Sequence, residues 1–206
     1  GGGATGTSYA VGTATSGMTS YLSQSKYKGV FLNGVTLNAS GVGSGGNISV
    51  LGKGWQGTNW NDIVTDYYAI GIDLVGYTGG STITTNGTGN ITLNGVGGNN
   101  YDNTTHGVGI NLFTGGTAHV ISAASGTINL VGTAGGTGAG TSSRLQAGIN
   151  SDGGTTNIYT SSGAINLTGI GSTTALLNNG GTVIVGKNPT SNAITTGAIT
   201  LSTNSL

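Results

Sequence analysis

The sequence predicts an all-β fold: a parallel β-helix (β-solenoid) of about five coils, each built from three short strands and a variable side loop. Three observations carry this prediction. First, a phrase of the form Gly-x-Ile-x-Leu/Val occurs five times. It stands at Gly46-Asn47-Ile48-Ser49-Val50, Gly89-Asn90-Ile91-Thr92-Leu93, Gly126-Thr127-Ile128-Asn129-Leu130, Gly163-Ala164-Ile165-Asn166-Leu167 and Gly197-Ala198-Ile199-Thr200-Leu201. The leading glycines are 43, 37, 37 and 34 residues apart, periods that mark solenoids, propellers or arrays. Second, 44 of the 206 residues are Gly, and each Gly costs a helix about 1 kcal/mol relative to Ala. Third, apolar and polar residues alternate over short runs bounded by Gly, Asn, Ser and Thr, the pattern of short strands.

The repeat holds two further strands. A first strand follows a glycine at Gly29-Val30-Phe31-Leu32, Gly71-Ile72-Asp73-Leu74, Gly109-Ile110-Asn111-Leu112 and Gly148-Ile149-Asn150-Ser151, with Gly181-Thr182-Val183-Ile184-Val185 as a fifth copy shifted by one residue. A middle strand is expected at Val35-Thr36-Leu37, Thr82-Ile83-Thr84, His119-Val120-Ile121, Asn157-Ile158-Tyr159 and Asn192-Ala193-Ile194. The five-times-repeated phrase is the third strand. Residues 1–28 read as an entry loop or partial coil, and the coils span about 29–70, 71–108, 109–147, 148–180 and 181–206.

One coil cannot bury its apolar positions alone. Stacked coils pair each strand with its counterpart above and below at about 4.8 Å. The expected core is Ile48, Val50, Ile72, Leu74, Ile91, Leu93, Ile110, Leu112, Ile128, Leu130, Ile165, Leu167, Ile199 and Leu201. Residues between them point outward. They form small polar columns: Ser49, Thr92, Asn129, Asn166 and Thr200 in the third strand, and Asp73, Asn111 and Asn150 in the first. Asn can hydrogen-bond its copy one rung away. Gly before each strand suits a corner with positive φ.

The side loops, at 52–70, 95–108, 132–147 and 169–180, are expected along one edge of the rod. Per-repeat insertions on one face often form a binding face. The first loop differs from the rest. It holds both tryptophans, Trp55 and Trp60, together with Asp62, Asp66, Tyr67 and Tyr68. With Tyr77 and Tyr101 these form a candidate aromatic platform. Three roles are open to it: covering the solenoid edge, anchoring a neighbouring subunit, or stacking on sugar rings.

Composition excludes several functions. Only 5% of residues are charged and the net charge is zero, so the basic footprint of a nucleic-acid or anionic-membrane binder is missing. Cysteine is absent, which removes disulfides, thiolate metal sites and cysteine nucleophiles. No apolar run has the length of a membrane-spanning helix. A secretion signal is expected to lie upstream or to have been removed.

No catalytic residue is expected. Asp62, Asp66 and Asp102 lie in neighbouring loops, but glycoside hydrolysis needs two carboxylates about 5 to 9.5 Å apart. Asp73, aligned with Asn111 and Asn150, reads as one rung of a polar ladder. Neither His106 nor His119 has zinc-ligand spacing, and His119 is expected to face solvent. No metal and no cofactor are expected. A loose calcium site from Asp62, Asp66 and loop carbonyls is the one alternative. A flat Thr array for ice binding is absent.

The Gly-x-Ile-x-Leu phrases, Gly/Thr-rich loops such as Gly132-Thr133-Ala134-Gly135-Gly136, the lack of Cys and the scarcity of charge resemble the stalks of bacterial filamentous-haemagglutinin-like exoproteins and autotransporter passengers. The resemblance covers about residues 29–206. It implies a right-handed parallel β-helix, secretion to the cell exterior, and roles in adhesion, aggregation or surface display. The expected partner is the chain itself, by end-to-end stacking or by continuation of a longer chain, because neither end of the sequence shows a capping element. The alternative is a carbohydrate-binding adhesin that uses the aromatic loop against cell-surface glycans.

Overall fold

A computed structural model describes residues 10–11, 28–40, 45–55, 69–77, 79–98, 107–135, 146–171 and 174–204. Among them there is no helix. Strand β1 (Ala10–Val11) precedes five coils. The first coil holds β2 (Val30–Asn33), β3 (Thr36–Ala39) and β4 (Ile48–Lys53), and the second β5 (Ile72–Gly76), β6 (Thr82–Thr85) and β7 (Ile91–Val96). The third holds β8 (Ile110–Thr114), β9 (His119–Ala123) and β10 (Ile128–Thr133), and the fourth β11 (Ala147–Asp152), β12 (Thr155–Thr160) and β13 (Ile165–Ile170). The fifth holds β14 (Thr174–Asn179), β15 (Thr182–Val185) and β16 (Ile199–Asn204).

Strands of one kind form one sheet. The first sheet runs β2-β5-β8-β11-β14, the middle sheet β3-β6-β9-β12-β15, and the third sheet β1-β4-β7-β10-β13-β16. Every pairing between these strands is parallel. The chain visits the three sheets in turn and returns one rung higher, so the fold is a parallel β-solenoid.

The repeated phrase sets the register. Ile48, Ile91, Ile128, Ile165 and Ile199 stack in one column, and Val50, Leu93, Leu130, Leu167 and Leu201 in the next. Through the fourth coil these columns join Ile72, Leu74, Ile110, Leu112, Ile121 and Ile158 in one apolar core. β-branched and γ-branched side chains fill the tube because each i, i+2 pair faces inward on a pleated strand.

The leading glycines have a different purpose from the one the sequence suggests. Among the described residues the left-handed glycines are Gly34, Gly45, Gly87, Gly153, Gly154, Gly180 and Gly186, so the predicted positive φ at the head of each phrase is corrected. From the second coil on, close approach is the reason instead. A Cβ on Gly126 would stand 1.8 Å from the Gly89 carbonyl oxygen, one on Gly163 2.0 Å from that of Gly126, and one on Gly197 1.9 Å from that of Gly163. A second column marks the turn from the third sheet into the next coil. A Cβ on Gly52, Gly95 or Gly132 would stand 2.0, 2.1 or 2.1 Å from the carbonyl oxygens of Gly71, Gly109 and Gly148. The third strand therefore extends through this second glycine, beyond the point where the sequence suggests a loop.

The fifth coil departs from expectation. Its first strand is β14, which pairs with β11 through Ile149↔Leu176 and Asn150↔Leu177. Residues 182–185 form the middle strand, paired with β12, and are not the first strand. Residues 192–194 are not the middle strand. Ile194 makes an antiparallel bridge with Lys187 in an excursion between β15 and β16. The physical reason is a missing insertion: only residues 171–173 separate β13 from β14, whereas the earlier crossings span 54–71, 97–109 and 134–146. The expected loop at 169–180 is thus largely strand. Leu176 faces the core while Leu177 packs with Ile70, Val108 and Ala147 in a second cluster, so β14 lacks the apolar–polar alternation that flags a strand.

The core prediction also needs one correction. Ile199 and Leu201 lie in register with the core columns but are 42% and 61% exposed. They belong to the last rung of the third sheet, and no described strand covers their outer side. Ile48 and Val50 are partly buried.

Substituting Gly126→Ala is expected to lower stability by about 3 kcal/mol, the upper range for overpacking, because backbone oxygen cannot move aside within a ladder. Gly116→Ala is the control. A Cβ there meets nothing within 4 Å, and the melt followed by circular dichroism should stay within about 1 kcal/mol of the parent.

Candidate functional site

Among the described residues, three places bear on function. The first is a buried polar column on the first sheet. Phe31, Asp73, Asn111, Asn150 and Leu177 stand in register on successive strands. Asp73, Asn111 and Asn150 are buried, although their strand neighbours Ile72, Ile110 and Ile149 face the core. The first sheet is thus closed on both faces here. Asn111 Nδ2 donates to Asp73 Oδ1 at 2.8 Å, and Asn150 Nδ2 donates to Asn111 Oδ1 at 2.7 Å. Both amides point the same way, toward the carboxylate. Lys28, which precedes β2, is also buried, and its Nζ forms an ion pair with Asp73 Oδ2. The Phe31 ring lies 4.5 Å from the same Nζ. The ladder foreseen for Asp73, Asn111 and Asn150 is present; its buried lysine is not apparent from the sequence, because Lys28 falls one residue before the first strand phrase.

The second place is the corner between the first and middle sheets. His119 is fully buried, so the expected solvent-facing position is corrected. It shares the inward side of β9 with Ile121. Its Nδ1 accepts the Ser81 N–H at 2.8 Å, which leaves Nε2 to carry the proton and donate to the Phe113 carbonyl at 2.8 Å. Both ring nitrogens are engaged in the neutral form. Burial, the largest influence, lowers its pKa below the ordinary 6.5 against smaller upward effects of the Phe113 and Leu74 backbone bonds and the Asp73 charge. This is a structural histidine that stitches two coils, and it has no lone pair left for a substrate.

The third place is the open end of the tube at the fifth coil. A cavity of about 270 Å³ widens there between Leu112, Ile158, Leu167, Leu176, Val185 and Leu201. Val183, Ile199 and Leu201 are exposed around it. β14, β15 and β16 are the last strands of their sheets, so each turns one backbone edge away from the rest of the described ladder.

Of the candidate platform, Trp55 is half-buried just beyond β4, with its carbonyl oxygen against Gly98. Trp60, Asp62, Asp66, Tyr67, Tyr68 and Tyr101 lie outside the described residues. Tyr77 packs on Phe113 with ring centroids 5.4 Å apart, at the far end of β5 from the 54–71 loop. Asp102, Arg144 and His106 also lie outside the described residues. Asp152 accepts a hydrogen bond from Asn179 Nδ2 at 2.8 Å. Among the described residues no group of three or more His, Cys, Asp or Glu can hold a metal ion, and no helix is long and apolar enough to cross a membrane. Comparison of the chain with family models, with curated proteins and with solved structures finds no match.

The histidine makes stability depend on pH with a definite sign. Its folded pKa is depressed, so below about 6.5 the unfolded chain binds a proton that the folded chain does not, and stability falls with pH. Denaturant unfolding about one pH unit above and one below 6.5 should show a lower midpoint at the acid pH, and His119→Gln should flatten that difference.

Proposed function

We propose that the chain is a structural solenoid of the bacterial exterior: a segment of a surface stalk or filament whose work is to provide length and stiffness. The observation that carries this reading is the fifth coil. Its Ile199 and Leu201 continue the core columns in register yet stay exposed, beside an apolar cavity. A further coil of the same grammar, from a second copy or from more of the same chain, would extend the core by one rung.

The surface chemistry agrees with that role. Natural edge strands are blunted by charge, proline or bulges, whereas β16 carries Ile, Thr, Leu, Ser, Thr and Asn and no charge. Low charge, absent cysteine and the coil-to-coil backbone ladder suit a rod exposed to changing pH and redox conditions. Enzymatic activity forms no part of this reading, since the buried carboxylate and histidine are both committed to structure.

Electron microscopy of the native material is expected to show long fibres with a meridional spacing of about 4.8 Å. Leu201→Lys, which places a charge on the open rung, should shorten them or disperse them while circular dichroism stays unchanged. Isolated short rods in the native material, indifferent to Leu201→Lys, would overturn the proposal. They would move weight to the side loops and to sugar binding through Trp55 and Trp60.

A further inference from the structure

The geometry around Lys28 points to a covalent modification: an intramolecular amide between Lys28 Nζ and Asp73 Cγ, joining the first and second coils. Four features of the site converge. Both side chains have zero exposure, and nitrogen and carboxylate oxygen are already in contact. The other carboxylate oxygen, Oδ1, accepts the Asn111 amide at 2.8 Å. Asn111 is itself polarised by the Asn150 amide at 2.7 Å. The Phe31 ring at 4.5 Å shields the nitrogen from water.

Each feature has a chemical role in condensation. Contact within a buried, fixed geometry replaces a bimolecular encounter, and effective molarities for such arrangements reach about 10⁵ M or more. The Asn111 N–H₂ donor stands where the tetrahedral intermediate develops its negative oxygen, the position of an oxyanion hole. The Asn150 bond strengthens that donor. Exclusion of water favours amide over its hydrolysis. The driving force is electrostatic as well. A buried ammonium–carboxylate pair carries a desolvation cost that its attraction offsets only partly, and a neutral amide removes both charges.

The step balances without any outside reagent. The ammonium passes one proton to Asp73 Oδ2, and the resulting amine attacks Cγ, forming the C–N bond and placing charge on Oδ1. As the intermediate collapses, the second proton of nitrogen passes to Oδ2, the Cγ–Oδ2 bond breaks, and one water leaves. The nitrogen keeps one hydrogen. No oxidant, metal or second carboxylate takes part. Asn111 is the catalytic residue, because its amide touches the reacting carboxylate, and Asn150 is a positioning residue that acts through it.

Intact-mass spectrometry of the folded, then denatured, full chain is expected to read one water below the sequence mass. Proteolysis should yield one branched fragment that joins the segment bearing Lys28 to the segment bearing Asp73. Lys28→Ala and Asp73→Ala should each restore their full calculated mass. Asn111→Leu should slow the appearance of the bond at least tenfold when refolding is followed by mass. A succinimide at Asp152-Gly153 gives the same water loss, but it persists in Lys28→Ala and yields no branched fragment. The full sequence mass, a water loss that survives Lys28→Ala, or ready acylation of Lys28 in denaturant would each overturn the assignment. Because the branched fragment is read on the unaltered chain, the test stands even where a variant fails to fold.

Discussion

Parallel, in-register pairing between successive coils is the constraint on which the rest of the molecule depends, because it sets every residue directly over its own counterpart about 4.8 Å away. Whatever one coil places at a position, the next coil must tolerate at that distance. Aliphatic side chains tolerate it and form the dry columns through Ile91, Ile128 and Ile165. A Cβ at the head of the repeated phrase does not, since it would meet the carbonyl of the rung below. Charge does not either. Two carboxylates one rung apart would repel, and accordingly Asp73 continues as Asn111 and Asn150, neutral side chains of almost the same shape. The scarcity of charge within the paired strands follows this local rule.

The same constraint gives the polar columns a direction. On the first sheet each amide donates toward the Asp73 carboxylate. On the third sheet Asn166 donates to Asn129 at 2.8 Å. At the head of the phrase, Asn47 accepts the Asn90 N–H and Asn90 accepts the Thr127 N–H, at 2.8 and 2.7 Å. A column ends where the next residue cannot continue it. Leu177 succeeds Asn150, and the Asn150 Oδ1 is buried without a hydrogen-bond partner, a cost of about 1–3 kcal/mol. The cavity opens beside the same rung. In a solenoid, stability is close to a sum of coil and neighbour terms, so this orphaned oxygen subtracts from the interface between the fourth and fifth coils.

This arrangement also explains what the sequence reveals and what it conceals. The third strand was legible because both of its constraints, the glycine and the i, i+2 aliphatic pair, recur at fixed spacing. The first strand was legible in four coils for the same reason. In the fifth, Ala175 replaces the glycine and Leu177 fills the outward polar position, so neither signal survives and the strand hides among loop-like residues. His119 was misread because periodicity places it at a strand start, where inward and outward sides are not yet distinguished. Only the corner packing against Ser81 and Phe113 decides its side. Lys28 has no counterpart in the other coils, so no recurrence marks it. Sites that break the repeat are the ones that repetition cannot announce.

The two irregular places affect the rod in opposite ways. Backbone bonds between coils run along the axis, so axial tension loads many in parallel at each interface, with the interfaces in series. The weakest interface then sets the strength. At the fifth coil the polar column ends without a partner and a cavity opens beside it, while β14, β15 and β16 still pair with β11, β12 and β13. At the first interface the Lys28–Asp73 contact adds an electrostatic tie within the apolar shelter of Phe31. As an ion pair it would leave two buried charges without compensation on separation, a penalty of about 3–5 kcal/mol, and as an amide it could part only by breaking a covalent bond. Uncoiling is therefore opposed at both interfaces by the backbone ladders, and at the first also by one buried side-chain contact.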